Sequence, residues 1–245
     1  MGANAVTTVP VYTAGEVLTA ADMNITNSGI PVFATTVTRD AAFGGAGEKT
    51  LAEGQFAYVE ATNTTQYYDG SAWVAVGASG LTFIAASGAQ SAQANIAFNN
   101  CFSATYSNYK IIVENLSQSV AANSQFRLRV GGVDTVGTGY YTERYEVNAS
   151  AISGVDIGGV GYWSPSYITS TADGSSMSID IYRPFAAAST AANYQSTRTD
   201  TTTNIYAVGG SMFHNGATSF DGFNIVPASG TVTCTNIRVY GYSNS

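Results

Sequence analysis

Alternation is strict in Phe126-Arg127-Leu128-Arg129-Val130, where apolar side chains occupy every second position and arginines lie between them. Successive side chains of a β-strand point to opposite faces of the sheet, so this pattern predicts a strand with one buried and one solvated face. The same period of two appears in Met177–Ile181 (MSIDI) and in Cys234–Tyr240 (CTNIRVY). Together these runs indicate antiparallel sheet.

Further short apolar runs follow one another through residues 79–245, separated by loops rich in Gly, Ser, Thr and Asn. These runs are 81–85, 94–98, 109–116, 141–147, 204–208 and 222–226. A series of strands without interposed helices is typical of two packed sheets. We therefore predict an all-β protein in which residues 79–245 form an antiparallel, jelly-roll-like β-sandwich.

The composition agrees with strands and excludes several classes of function. Only 10% of the 245 residues are charged, against roughly 25% in an average soluble domain. The net charge is −7 and the nine Lys and Arg residues form no basic run, which argues against nucleic-acid binding. The sequence has no apolar run of membrane-spanning length and no signal peptide, so we expect no membrane insertion and synthesis in a cytoplasm.

Residues 30–78 are predicted to form a small β-hairpin module that connects to the sandwich. Its short apolar runs are 31–34, 55–59, 65–68 and 72–76. Asp69-Gly70 between the last two is a strong hairpin signal, because Gly accepts the positive φ that tight turns require.

Residues 1–29 are predicted to be an arm with one short helix. Thr19 has the capping-box spacing to Asp22, and Asn27-Ser28-Gly29 ends the helix. An arm this short cannot bury its own apolar side chains, so we expect them to dock onto another subunit or protein. The alternative is that the arm folds back on its own domain. The candidate anchoring residues are Val11, Tyr12, Val17, Leu18 and Met23.

Three parts of the chain resemble proteins of tailed-bacteriophage particles. Residues Thr13–Asn24 (TAGEVLTAADMN) resemble the N-terminal segment of many phage fibre, baseplate and minor virion proteins. Residues 37–42, 54–58 and 68–73 resemble the hairpin module that follows it there. Residues 109–116, 126–129 and 236–241 resemble the β-sandwich region of phage structural proteins.

The order of these matches implies an N-terminal arm anchored to the virion, a β connector and a distal domain that faces outward. The resemblance implies a virion protein assembled in the host cytoplasm, with itself as a partner in a homotrimer and with other virion proteins at its N-terminus. Tail fibre or tail-tip protein is the expected function. Capsid head fibre or decoration protein is one alternative and a glycan-degrading tail spike is another. A secreted carbohydrate-binding module is disfavoured because no signal peptide is present.

Aromatic residues in glycine-rich segments are the candidates for contact with a host receptor or surface polysaccharide. Rigid aromatic rings can stack on sugars or on a partner surface. The alternative is that they fill the sandwich core or a trimer interface. These residues are Tyr140, Tyr141, Tyr162, Trp163 and Tyr167.

A catalytic constellation is not recognisable in the sequence, and we predict no enzymatic activity. Hydrolysis of glycans needs two carboxylates across a cleft, but Glu143 and Glu146 fall on opposite faces if 141–147 is a strand. Arg144 offers an ordinary ion-pair partner. His214, the single histidine, has no Gly-x-Ser-x-Gly nucleophile elsewhere and is expected to be solvated or at the core rim. The remaining acidic candidates, in loops or beside glycines as turn residues often are, are Asp134, Asp156, Asp173 and Asp221.

The two cysteines, Cys101 and Cys234, lie in the first and last apolar runs of the predicted sandwich. Many sandwich topologies would bring them together, so a disulfide is geometrically open, but reducing synthesis favours two buried thiols. With one histidine they cannot complete a tetrahedral shell, and we predict no metal site and no cofactor.

Overall fold

The computed structural model describes residues 9, 12–17, 19, 29–45, 48–77, 80–148, 151–168, 170, 174–199 and 205–243. The chain divides into two compact units, unit 1 (Met1–Ala78) and unit 2 (Ser79–Ser245). Strands make up 56% of the structure and helices 4%, which confirms the all-β prediction. Within the described part of the chain, no helix is both long and apolar enough to span a membrane.

Unit 1 contains a four-stranded sheet in the order β1-β2-β3-β4, in which only the β1–β2 pair is parallel. The hairpin between β3 and β4 confirms the predicted turn, because Asp69 Oδ1 accepts hydrogen bonds from the backbone N–H groups of Ser71 and Ala72. Gly70 there adopts a φ of +96°. The elements are β1 (Val32–Phe33), α1 (Thr36–Asp40), β2 (Phe56–Val59), a 3-10 helix (Glu60–Thr62), β3 (Thr64–Tyr68) and β4 (Trp73–Ala75).

The core of unit 1 is small and includes one residue of the predicted arm. Val9, Phe33, Ala42 and Ala57 are buried together, with Phe43 and Trp73 packed against them. The backbone of Val9 also accepts a hydrogen bond from Lys49 N at 2.9 Å. At Val9, therefore, the arm folds back on its own unit. Of the helix predicted after Thr19, residues 20–27 lie outside the described residues, and the helix stays a prediction.

Unit 2 is a β-sandwich of a five-stranded and a ten-stranded sheet. In the smaller sheet the order is β10-β9-β17-β7, with β13 paired to β9. In the larger it is β12-β11-β16-β15-β14-β8, after which β8 pairs with β19 and β18. The strands are β5 (Leu81–Ala86), β6 (Gln90–Gln93), β7 (Ile96–Phe98), β8 (Asn108–Gln118), β9 (Ala122–Val130), β10 (Val133–Asp134), β11 (Tyr140–Asn148), β12 (Ala151–Val160), β13 (Tyr167–Ile168), β14 (Ser175–Tyr182), β15 (Thr190–Thr199), β16 (Ile205–His214), β17 (Gly222–Pro227), β18 (Val232–Cys234) and β19 (Asn236–Tyr242).

One hydrophobic cluster lies between the two sheets and draws alternate residues from both. Phe126 and Leu128 of β9 belong to it, as do Ile179 and Ile181 of β14, which confirms the inward half of the predicted alternation. Phe223 of β17 stacks on Phe126 with ring centroids 4.7 Å apart. The core is thus aromatic on the side of the smaller sheet.

The outward half of the β9 pattern needs a correction. Arg127 and Arg129 were expected to face water, but both are largely covered, because the β9–β10 hairpin brings Asp134 against them. Arg129 Nη1 lies 2.6 Å from Asp134 Oδ1, and Asn224 Nδ2 donates to the same carboxylate at 3.0 Å. This sheet therefore carries a polar cluster on its outer face.

Candidate functional site

Tyr140 and Trp163 are fully buried in the core of unit 2, with ring centroids 5.7 Å apart. Their polar atoms bond to backbone, since Tyr140 Oη donates to Thr135 O and Trp163 Nε1 donates to Phe213 O, each at 2.9 Å. Burial raises the pKa of Tyr140 to about 12. A side chain without exposed surface cannot contact a ligand, so the prediction of receptor or glycan contact is wrong for these two residues.

The other three predicted aromatic residues do not form one surface. Tyr141 is 41% exposed and lies on the ten-stranded sheet, whereas Tyr167 lies in β13 of the smaller sheet. The hydroxyl of Tyr167 donates to Ala121 O at 3.2 Å. Tyr162 is half-buried. The glycine-rich segments that carry these residues therefore lead to different parts of the sandwich.

Two of the predicted anchoring residues lie in the described part of the arm. Val17 is 85% exposed and Tyr12 is half-buried. Val11, Leu18 and Met23 lie outside the described residues, and their role stays a prediction.

The acidic candidates are placed by strand geometry. Glu143 and Glu146 do point to opposite faces of β11, as predicted, and only Glu143 is exposed. Glu146 is buried between two arginines, with Arg144 Nε 2.9 Å from its Oε1 and Arg198 Nη2 2.7 Å from its Oε2. Asp156 of β12 is exposed directly opposite Glu143. These side chains are therefore not gathered around one cleft.

Of the other predicted acidic candidates, two hold parts of the fold together and one lies outside the described residues. Asp221 Oδ2 accepts from the Gly131 N–H at 2.7 Å, and Asp134 is held by the arginines of β9. Asp173 lies outside the described residues. Across the part of the chain that the structure describes, no group of three or more His, Cys, Asp or Glu residues could hold a metal.

His214 is buried, so of its two expected positions, solvated or at the core rim, the solvated one is wrong. It is 6% exposed and its ring lies between those of Tyr140 and Phe220, with centroid distances of 4.5 and 5.0 Å. Its Nδ1 accepts a hydrogen bond from Gly216 N at 3.2 Å. Loss of hydration is the main cause that lowers its pKa. Such a neutral imidazole acts as an aromatic side chain.

Cys101 and Cys234 are both buried and free. Burial raises the pKa of the Cys101 thiol to about 12, so this sulfur stays protonated and unreactive at neutral pH. Both cysteines belong to the hydrophobic cluster of unit 2.

A concave surface that sequence reasoning missed lies on the outer face of the ten-stranded sheet, the face turned away from the core. Two adjoining depressions of about 530 and 510 Å³ lie there and share Tyr145, Ser178 and Gln195. We call this surface the outer-face groove. Tyr145 borders it on β11 and Ile112 borders it on β8. Its floor consists of short polar or small side chains on β14, β15 and β16: Ser176, Ser178, Asn193, Gln195, Thr197, Ala207 and Ser211.

Two tyrosine rings lie across glycines on this face. Tyr141 is directly opposite Gly158 and Tyr145 is directly opposite Gly209. A Cβ added to Gly158 would lie 2.7 Å from Cδ1 of Tyr141, and one added to Gly209 would overlap the hydroxyl end of Tyr145. Only glycine leaves room for a ring to lie down on the neighbouring strand. Both rings stay over 40% exposed, Tyr145 at 46%.

The charges at the groove are paired with one another. Lys110 Nζ lies 3.1 Å from Asp180 Oδ1, and Arg238 forms an ion pair with Glu114. The Tyr242 hydroxyl donates to Asp180, and burial followed by the nearby carboxylate raises the pKa of Tyr242 to about 12. The groove therefore presents paired charges at its β8 side and uncharged groups on its floor.

Comparison with known proteins gives no relative. No protein-family model, no curated protein and no solved structure matches the chain.

Sequence reasoning missed the groove because its central strand is almost entirely polar. The inward residues of β15 are Thr190, Ala192, Tyr194, Ser196 and Arg198, so a hydrophobic period of two is hardly visible there. The signal that was available is the pair Tyr141 and Tyr145, four residues apart on one strand face, together with glycines elsewhere in the unit.

Proposed function

We propose that this chain is a non-enzymatic structural subunit of a tailed-bacteriophage particle, anchored by its N-terminal arm, with the sandwich of unit 2 facing outward. A tail fibre or tail-tip protein is the form we favour. The segment that resembles virion anchors, Thr13–Asn24, supports the proposal from the sequence side. Self-association as a trimer and contact with a host surface belong to the same proposal.

The observation that carries the anchoring role is the contrast between two valines of the arm. Val9 is buried in the core of unit 1, whereas Val17, eight residues later, exposes 85% of its surface. The arm is thus held to unit 1 at Val9 and presents an apolar side chain, Val17, within the resembling segment. An isolated exposed valine has an ordinary explanation on most surfaces, but here it lies where an anchor is expected.

Replacement of Val17 by aspartate tests this role. A charge at a docking contact must be desolvated, so Val17→Asp should reduce the amount of this chain in particles that contain only the variant. Val37→Asp is the matched control, since Val37 is 74% exposed in α1 of the same unit. Normal incorporation of both variants would contradict anchoring through this segment. Deletion of residues 1–29 is less informative, because it also removes the buried Val9.

The position on the particle distinguishes a tail fibre or tail-tip protein from a capsid head fibre or decoration protein. Electron microscopy of particles that carry a bulky tag at the C-terminus of this chain would show the tag at the tail or over the head. We expect the density of the tag at the tail. Density of the tag over the head would instead assign the chain as a capsid head fibre or decoration protein, and the anchoring proposal would remain.

The non-enzymatic part of the proposal is supported by the state of the enclosed carboxylates. Glu146 is held by two arginines and Asp134 by two arginines and Asn224, so neither is presented to a substrate. Glu143 and Asp156 lie directly opposite each other on β11 and β12, and both side chains are exposed to solvent. Host polysaccharide incubated with the protein should release no reducing ends. Release that Glu143→Gln abolishes would establish a glycan-degrading spike instead.

A further inference from the structure

We propose that the outer-face groove of unit 2 binds a neutral, hydroxyl-rich oligosaccharide, with the ring of Tyr145 as its stacking platform. This inference deepens the host-surface part of the proposed function and rests on it for its biological meaning. The binding itself depends only on the groove.

The floor of the groove offers hydrogen-bonding groups that are not used within the chain. Among the residues that the structure describes, Ser178, Gln195 and Thr197 have no side-chain hydrogen-bond partner. All three point outward from neighbouring strands, since Ser178 lies directly opposite Gln195 and Thr197 is two residues further along β15. A hydroxyl donates and accepts, and an amide does both with separate atoms. This is the set of groups that matches the hydroxyls of a sugar.

The wall of the groove supplies a flat apolar surface beside these polar groups. Because Tyr145 lies down over Gly209, one edge and face of its ring remain open towards the groove. Tyr141, four residues earlier, lies over Gly158 of β12, on the other side of β11 from the groove. A tyrosine side chain loses little conformational entropy when it binds a ligand, and its ring buries a large area on contact. A single ring beside a polar floor fits one face of a sugar unit, and further units would lie along the rest of the groove.

Charge at the groove selects for a neutral ligand. The cations Lys110 and Arg238 are occupied by Asp180 and Glu114, so no free cation faces the floor among the described residues. Beyond Tyr145 the exposed pair Glu143 and Asp156 adds negative charge to the same sheet face, in a chain of net charge −7. An anionic polymer would be repelled, whereas an uncharged one meets only dipoles.

The dimensions fit an extended ligand that runs across the strands. From β11 to β8 the groove crosses β16, β15 and β14, and five strands at about 4.8 Å spacing give a width of about 20 Å. The two depressions of about 530 and 510 Å³ adjoin along it. That is room for several sugar units, and the open form of the groove admits the middle of a polymer as well as its end.

Titration of the full-length protein with defined oligosaccharides tests the inference. The probes are neutral hexasaccharides of glucose, galactose and N-acetylglucosamine, with a hexamer of galacturonate as the charged comparison. We expect saturable binding of at least one neutral probe by calorimetry and none of the charged probe. Tyr145→Ala should weaken that binding about tenfold, and Tyr145→Phe should retain it, because the ring and not the hydroxyl provides the platform.

Two further variants separate a platform effect from a loss of folding. Gly209→Ala should displace the ring of Tyr145, because an added Cβ overlaps its hydroxyl end, so it should weaken binding while the unfolding transition stays in place. Phe56→Ala removes an equally exposed aromatic ring in unit 1 and should change nothing at the groove.

Two outcomes would overturn the inference. One is the absence of saturable binding to every neutral probe. The other is dissociation of an oligomer by Tyr145→Ala in analytical ultracentrifugation, which would make the groove a contact between copies of this chain. Neither result bears on incorporation of the Val17→Asp variant into particles, so failure of the groove and failure of the anchoring proposal are distinguishable.

Discussion

Glu146 is the counter-ion of two buried arginines inside unit 2. Its carboxylate is the partner of both Arg144 and Arg198, and all three side chains are almost fully buried. Arg144 also donates to Ser164 O at 3.2 Å, and the Arg198 guanidinium lies 3.8 Å from the centre of the Tyr206 ring. Removal of one partner from a buried ion pair leaves the others uncompensated, which costs more than the pair contributed.

Glu146→Gln should therefore lower the free energy of unfolding by about 3–5 kcal/mol, because two buried cations lose their counter-charge. Glu143→Gln is the matched control on the same strand. Glu143 is exposed and faces Asp156, so its loss should change stability by less than about 0.5 kcal/mol. Urea unfolding followed by circular dichroism measures both. Equal effects of the two substitutions would contradict the assignment of Glu146 as the central counter-ion.

The burial of His214 predicts that the stability of the fold decreases as the pH falls. Burial lowers the pKa of the folded imidazole, whereas in the unfolded chain it returns to about 6.5. The unfolded state therefore binds the proton first as pH falls, and stability is lost below about pH 6.5, by at most about 1.4 kcal/mol per pH unit.

This loss should be visible between pH 7 and about 5.5, above the range in which ordinary carboxylates titrate. His214→Asn keeps an acceptor for Gly216 N and removes the only imidazole of the chain. Unfolding measured in urea at several pH values should show a sloping stability for the unmodified protein and a flat one for the variant. Parallel slopes would show that another group is responsible.

Among the elements, β11 has a glycine directly opposite it in each of its neighbours, and the two differ in how closely β11 approaches them. Gly210 of β16 lies directly opposite Arg144, and a Cβ there would overlap the backbone carbonyl of Glu143. Gly154 of β12 lies directly opposite Tyr145, and a Cβ there would meet nothing within 4 Å. The strand is thus packed tightly on one side and loosely on the other.

Gly210→Ala should separate β11 from β16 and lower stability by about 1–3 kcal/mol, the usual cost of overpacking. Gly154→Ala should have an effect within about 0.5 kcal/mol, since it adds a methyl group to open space. Thermal unfolding of the two variants provides the comparison. A loss for Gly154→Ala as large as for Gly210→Ala would mean that strand flexibility, and not the close approach of backbone, sets the requirement for glycine.

Several strands that sequence reasoning identified share a visible hydrophobic period, and two long strands that it missed lack one. The strands β8, β9, β14 and β19 bury Ile, Val, Leu and Phe at alternate positions and were predicted. The strands β12 and β15 have mostly polar or small residues and were not. The same limit explains the site: Tyr140 and Trp163 look like Tyr141 and Tyr145 in sequence, and only the fold determines which rings face outward.

At the scale of the whole molecule, the two units have separate cores of very different size. Among the described residues, the cluster of unit 1 consists of Val9, Phe33, Ala42 and Ala57, whereas that of unit 2 contains 27 buried residues. Core size largely sets the stability of a small domain, so unit 1 should be the weaker of the two. The chain has two tryptophans, Trp73 in unit 1 and Trp163 in unit 2, so each unit has its own fluorescent reporter.

Separate cores predict two unfolding transitions that respond to different substitutions. In a Trp73→Phe background the fluorescence of the buried Trp163 follows unit 2 alone. There, Phe223→Ala should lower the transition by about 3–5 kcal/mol, because it removes a ring stacked on Phe126, whereas Phe33→Ala should leave the transition unchanged. Circular dichroism of the same Phe33→Ala protein should show an early loss from unit 1. If Phe33→Ala shifted the Trp163 signal as far as Phe223→Ala does, the two units would unfold as one cooperative body, and the weaker core of unit 1 would then be stabilised by unit 2.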